Sequence, residues 1–271
     1  MYLDDLLLVA DELARAGWAE ANAGNVSVRL PDEALAELPL GPGGPWTPLA
    51  RPVPELAGEH MLVTARGCQM RLVSRRPQRD CGVLELSGDG AAWRVRWGLE
   101  GTTPTSELPS HLLSHAVRKA RSGGAERVIL HTHPPALIAL CHVRAWDTRS
   151  LNQLLWSLHP EGVCLFPGAL AYLPFAIPGS VEIAEQTCAA FAEHAMVLWE
   201  YHGVFASAPT ADAAFGMVQA AEKAAVIYRD ACAMGGVRRG LSPAQIRQVA
   251  ASLGITPAPG ILGEEDGSHA V

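Results

Sequence analysis

Two histidines separated by a single residue, His131 and His133, close the apolar run Val128-Ile129-Leu130. On a strand, residues i and i+2 point to the same face, so this spacing projects two imidazoles together. Pro134 has no N–H for a ladder and ends the strand there. Both rings then stand at the rim of the sheet, where the sites of open sheets lie. Imidazole is a common metal ligand, and catalytic zinc takes three protein ligands with one position left open. His202 is the candidate third ligand. It closes another apolar run, Met196-Val197-Leu198-Trp199, and precedes Gly203. Taken alone, the same residues fit two surface histidines on an edge strand and a core histidine bonded to a carbonyl. Spacing therefore leaves the metal and the plainer reading both open. His111 and His115, four apart on a predicted helix, lack the glutamate of an H-E-x-x-H motif and read as ordinary helix-face residues.

A second group of residues suits an anion. Thr105, Ser106 and Glu107 stand at the start of a predicted helix, where free N–H groups attract negative charge. The same three also fit plain capping. The loop Asn22-Ala23-Gly24-Asn25 joins a helix to a strand, and its small residues allow backbone amides to approach phosphate oxygens. A simple turn is the alternative. Arg66-Gly67 follows the strand-like Met61-Leu62-Val63-Thr64 and offers a cation beside a flexible residue, or a surface ion pair.

These residues need a scaffold, and the periodicities supply one. Leu3, Leu6, Leu7, Ala10, Leu13 and Ala14 recur at helical spacing, with Gly17 as the stop. Residues 39–54 are crowded with Pro and Gly and read as an irregular excursion. Strands are expected over 60–66, 81–86 and 91–97, the last two joined by a turn at Ser87-Gly88-Asp89-Gly90. Residues 163–173 read as strand material broken by Pro167-Gly168, and 196–201 as a strand. Helices are expected from Pro109 to Arg121, over 148–158, from an N-cap at Ser180, from Thr210 to about Met234, and from a capping box at Ser242 to Gly254. Strands and helices alternate without a linker or repeat, which predicts one three-layer α/β domain. It spans residues 1–256, and the Pro- and Gly-rich residues 257–271 are expected to be a disordered tail.

Composition narrows the function. Hydrophobic residues make up 49% of the 271, enough for a sizeable core. The net charge of −7 gives no general attraction to nucleic acid or anionic lipid. No apolar run reaches the length of a membrane helix, and Asp4 and Asp5 stand where a signal peptide would be basic. The six scattered cysteines include no C-x-x-C pair and read as core thiols of a cytoplasmic protein.

In order and spacing, the motifs resemble the class II aldolase family. They run Asn22-Ala-Gly-Asn25, Val63-Thr-Ala-Arg-Gly67, Pro104-Thr-Ser-Glu-Leu-Pro109, Val128-Ile-Leu-His-Thr-His133, and Leu198-Trp-Glu-Tyr-His-Gly-Val-Phe205, and the likeness covers about residues 6 to 257. The resemblance implies a single αβα domain with a central, mainly antiparallel sheet, assembled as a homotetramer. It implies one zinc ion per subunit on His131, His133 and His202. It gives Glu107 the role of catalytic carboxylate, and Glu161 that of a second acid/base group donated by a neighbouring subunit. It sets Asn22, Gly24, Asn25, Gly67, Thr105 and Ser106 around a substrate phosphate. The chain departs from the pattern at Ala65-Arg66-Gly67, where relatives carry Gly-Ser-Gly. Arg66 replaces a hydroxyl with a guanidinium suited to bidentate phosphate contact. The implied reaction is zinc-dependent cleavage of L-rhamnulose 1-phosphate into dihydroxyacetone phosphate and L-lactaldehyde. Other sugar-phosphate aldolases, a pentulose-phosphate 4-epimerase and a non-catalytic adducin-like head are the alternatives within the family. Only two lysines occur, Lys119 and Lys223, which disfavours Schiff-base chemistry.

Overall fold

The computed structural model describes residues 1–263. Helix α1 (Tyr2–Arg15) buries Leu6, Val9, Ala10 and Leu13 along one face. Gly17 closes it with a left-handed φ of 73°. Strand β1 (Asn25–Leu30) and the helical turn α2 (Asp32–Leu35) come next. The two-residue β2 (Thr47–Pro48) forms within the exposed Pro- and Gly-rich excursion, ahead of β3 (His60–Thr64). Turns α3 (Met70–Val73) and α4 (Pro77–Asp80) lead into the hairpin of β4 (Cys81–Leu86) and β5 (Ala92–Gly98). The second half alternates: α5 (Leu108–Arg121), β6 (Val128–Thr132), α6 (Pro135–Cys141), α7 (Thr148–Leu158), α8 (Glu161–Leu165) and β7 (Leu170–Leu173). It continues with α9 (Val181–Phe191), β8 (Met196–Trp199), β9 (Gly203–Ala208), α10 (Ala211–Ala233) and α11 (Pro243–Ser252).

The nine strands form one sheet in the order β2-β5-β4-β3-β1-β6-β9-β8-β7. Every pair is antiparallel except β7 with β8. Alternate residues of the central strands serve opposite layers. Ile129, Val197, Trp199 and Phe205 pack with Ile183 and Phe191 of α9. Val128, Leu130, Leu198 and Val204 belong to the main core that includes Ala214, Val218 and Ala221 of α10. The architecture is therefore the expected three-layer αβα domain. Among the described residues, no helix is long and apolar enough to cross a membrane.

Local cap chemistry matches the residues. Ser180, Thr210 and Ser242 each accept a backbone N–H three positions on. Two segments differ from expectation. Residues 163–165 are not extended but belong to the helix Glu161–Leu165, with Pro160 as the N-cap, and only Leu170–Leu173 forms the strand. Residues 257–263 are not a free tail. Ile261 is buried, its carbonyl accepts from Gln153 (2.8 Å), and Ala258 N–H donates to the Pro167 carbonyl (2.7 Å). The physical cause is apolar: Ile261 and Leu262 find partners in the main core. The remainder of the expected tail, 264–271, lies outside the described residues.

Glu222 ties α10 to α6 close to the histidine pair. Its buried carboxylate on α10 accepts from the N–H groups of Ala136 (2.9 Å) and Leu137 (2.8 Å), in the first turn of α6. That helix leaves directly from Pro134. Glu222→Ala strands two buried donors and is expected to cost about 2–4 kcal/mol. Urea unfolding checks this, and an unchanged midpoint would contradict it.

Candidate metal centre

The central strands bring the candidate residues to one end of the sheet. Asn25 on β1 faces His131 on β6, and His131 faces Phe205 on β9. Gly24, with a left-handed φ of 78°, lets the preceding loop pass close to the His131 carbonyl, which a Cβ there would approach to 3.2 Å. His202 lies in the tight turn between β8 and β9, whose register pairs Trp199 with Gly203. Tyr201 adopts a φ of 61° in that turn, a conformation uncommon for non-glycine residues.

The three imidazoles converge. His131 Nε2 lies 3.2 Å from His202 Nε2 and 3.3 Å from His133 Nε2. Among the described residues they are the group whose ligand atoms gather within 4.8 Å. Their outer contacts fix which nitrogen is free. His131 Nδ1 donates to the Val204 carbonyl (3.1 Å), and His133 Nδ1 donates to the Glu20 carboxylate (2.9 Å). A carbonyl and a carboxylate only accept, so each of these nitrogens carries a proton, and in the neutral form of either ring the Nε2 lone pair points inward. Burial, then the neighbouring His133 and His202, hold His131 well below the ordinary histidine range, which keeps it neutral. Burial, then the neighbouring His133, also lowers His202.

Lone pairs at 3.2–3.3 Å repel unless a cation lies between them. Zinc at about 2.0–2.1 Å from each nitrogen, in tetrahedral geometry, sets nitrogens about 3.3–3.4 Å apart. Two of the three nitrogen pairs thus stand at about the zinc spacing, and imidazole donors suit such an ion. The ring of His131 is clamped by stacking on Phe205 (4.1 Å between centroids) with Trp199 alongside. Gly203 is required by the same crowding. A Cβ there would meet the Thr132 carbonyl at 2.5 Å and the His133 ring at 2.7 Å. Gly203→Ala is expected to weaken metal binding at least about tenfold. Competition with a chromophoric chelator measures this, and wild-type affinity would contradict it.

Glu107 reaches this centre from the N-cap of α5, with Oε2 3.7 Å from His131 Nε2. Asn25 Nδ2 donates to the same oxygen (2.9 Å). The segment leading to α5 is stitched to the end of β3. Arg66 N–H donates to the Thr103 carbonyl (2.8 Å), Thr105 N–H donates to the Thr64 carbonyl (3.1 Å), and Ala65 bridges Pro104. Arg66, Gly67, Thr105, Ser106 and the Asn22–Asn25 loop accordingly leave the sheet at the same end. Arg66 and Gly67 line a cleft with Arg76, Arg79 and Thr102, arginines that the sequence reading did not include.

Glu161 is not brought to the histidines within the chain. It begins α8, its carboxylate lies 3.1 Å from His159 Nε2, and it lines a cavity with Gln219, Ala220 and Lys223 of α10. Lys119 pairs with Glu59. The sequence reading also set aside His111 and His115, yet both are fully buried directly behind Glu107. Glu107, His111 and His115 recur every four residues on α5, a pattern that would have found them.

Comparisons with known proteins agree with this layout. The sequence profile of the Class II Aldolase and Adducin N-terminal domain family matches residues 4–229. Rhamnulose-1-phosphate aldolase of Yersinia pestis (strain Pestoides F) is 38% identical over 266 residues, covering 96% of each chain. The crystal structure of a sugar-phosphate aldolase from Thermotoga maritima matches with a TM-score of 0.76 at 30% identity, over 87% of this chain and 97% of that one. L-fuculose-1-phosphate aldolase from Thermus thermophilus has the same fold, with a TM-score of 0.56 at 20% identity over 87% and 97% of the two chains.

Proposed function

The chain belongs to the class II aldolase and adducin N-terminal domain family, and we propose that it is a zinc-dependent lyase splitting L-rhamnulose 1-phosphate into dihydroxyacetone phosphate and L-lactaldehyde. The observation that carries this reading is the convergence of three inward Nε2 atoms beside the Glu107 carboxylate. The likeness to rhamnulose-1-phosphate aldolase over almost the whole length of both chains favours this substrate and a role in L-rhamnose breakdown. A non-catalytic scaffold would have no use for three convergent imidazoles.

His131, His133 and His202 would hold the ion, one per subunit. When bound, it supplies Lewis-acid stabilisation of negative charge on substrate oxygen. Glu107 transfers the proton at the carbon that becomes part of dihydroxyacetone phosphate. Its Oε2 is engaged by Asn25, so the other oxygen, Oε1, is the one that carries the proton. Thr105 and Ser106 hydroxyls, the amides of Gly24 and Gly67, and the side chains of Asn22 and Arg66 bind the phosphate at the N-terminus of α5, while the Asn25 amide, a further candidate for that role from the sequence, is taken up by Glu107 and His111. Glu161 acts in the site of a neighbouring copy, at the aldehyde oxygen, so the working form is an oligomer, and the family resemblance makes it a homotetramer. The free cysteines suit the reducing cytoplasm.

Product analysis tests the reading. The purified protein is incubated separately with L-rhamnulose 1-phosphate, L-fuculose 1-phosphate and L-ribulose 5-phosphate. Dihydroxyacetone phosphate should appear fastest from the first. An epimerised pentulose phosphate with no triose from the hexulose phosphates would overturn it in favour of an epimerase.

A further inference from the structure

Behind Glu107 runs a line of buried polar side chains that the reaction described above does not use. Asn25 Oδ1 contacts His111 Nε2, His111 Nδ1 lies 2.6 Å from Ser27 Oγ, and Ser27 Oγ lies 2.8 Å from His115 Nε2. Ser27, His111 and His115 are all at most 1% exposed. Burying two imidazoles and a hydroxyl is unfavourable unless each finds a partner, and here each does.

The direction of every bond follows from one end. The Glu107 carboxylate only accepts, so the amide of Asn25 must turn its NH2 toward it. Asn25 Oδ1 then faces inward and needs a donor, which His111 supplies as Nε2–H. A neutral ring protonated on Nε2 has an acceptor at Nδ1, so the Ser27 hydroxyl donates there. Ser27 Oγ in turn accepts from His115 Nε2–H. The neutrality this logic requires is provided by burial, which holds His111 down to about 4. Burial, then His111 and Arg29, also keep His115 well below its ordinary value.

We propose that His111 is a positioning residue: supported by Ser27 and His115, it locks the Asn25 amide so that its N–H holds Glu107 in place for proton transfer. The proposal rests on the reading of Glu107 as the proton-transfer group. Without the inner donor, Asn25 can rotate and present its carbonyl to the carboxylate, pushing Glu107 out of line. A misplacement of that kind costs rate rather than affinity.

His111→Phe keeps the ring volume and removes both hydrogen bonds. Expected are a fall in kcat of roughly 100-fold, a KM within about threefold of wild type, and zinc content equal to wild type. His111→Gln, whose amide N–H falls near the lost Nε2–H, should recover much of the loss. Because His111 acts through Asn25, the Asn25→Ala, His111→Phe double variant should be no slower than Asn25→Ala alone. Additive losses, no rescue by Gln, or a kcat within about threefold of wild type in His111→Phe would each overturn the proposal. Ring 15N spectra of the wild-type protein supply an arm independent of turnover. They should report His111 and His115 as neutral Nε2–H tautomers, and an Nδ1–H tautomer at His111 would reverse the array and reject it. If wild type releases no triose phosphate, the aldolase reading fails, and these spectra still decide the array.

Discussion

Glu107→Gln should lower kcat for sugar-phosphate cleavage by roughly 1,000-fold while bound zinc stays at the wild-type level. The substitution preserves shape and keeps an oxygen able to accept from Asn25, which now holds Oε2 at 2.9 Å. It removes the group that can gain and lose a proton beside the histidines. The separation of 3.7 Å between Oε2 and His131 Nε2 sets the carboxylate beside the three convergent imidazoles without making it one of that group. Steady-state kinetics with metal analysis reads both effects. A kcat within a few-fold of wild type would remove Glu107 from proton transfer. Loss of zinc would make it a necessary ligand.

His202→Ala and His131→Ala should each abolish tight zinc binding, with an affinity loss of more than roughly 100-fold, and reduce activity to background. The two differ in stability. His131 is 1% exposed and stacked on Phe205, so its removal also opens a cavity and costs about 2–4 kcal/mol. His202 lies in a turn and is half-buried, so its removal should leave the fold near wild-type stability. The His202 variant therefore isolates the metal effect from folding. Stoichiometric zinc retained in it would contradict the ligand assignment.

Features governed by local chemistry were legible in the sequence. The projection of His131 and His133 follows from strand alternation and a terminating proline. The caps at Ser180, Thr210 and Ser242 follow from side-chain oxygens that reach N–H groups three residues away. His202, the candidate third ligand, reaches the histidine pair only because β8 and β9 turn back within a few residues and β9 pairs with β6, a register no local rule supplies. What failed depended on distant partners in the same way. His111 looked like a helix-face residue because the hydroxyl that satisfies it, Ser27, is 84 positions away. Residues 163–165 read as strand because a short apolar run has no periodicity of its own, and packing on α10 makes them helical. Residues 261–263 read as tail because their partners, Gln153 on α7 and Arg247 on α11, are known only from the tertiary structure. The cleft beside Arg66 and Gly67 draws in the arginines at 76 and 79 only through tertiary structure.

The central claim is that three convergent imidazoles hold an ion on which sugar-phosphate cleavage depends. The direct measurement is release of dihydroxyacetone phosphate from L-rhamnulose 1-phosphate by the protein as purified, after chelation, and after zinc is returned. The expected result is activity that disappears with the metal and returns as zinc reaches one ion per chain. Undiminished release from the chelated protein, or none after full reloading, would contradict it.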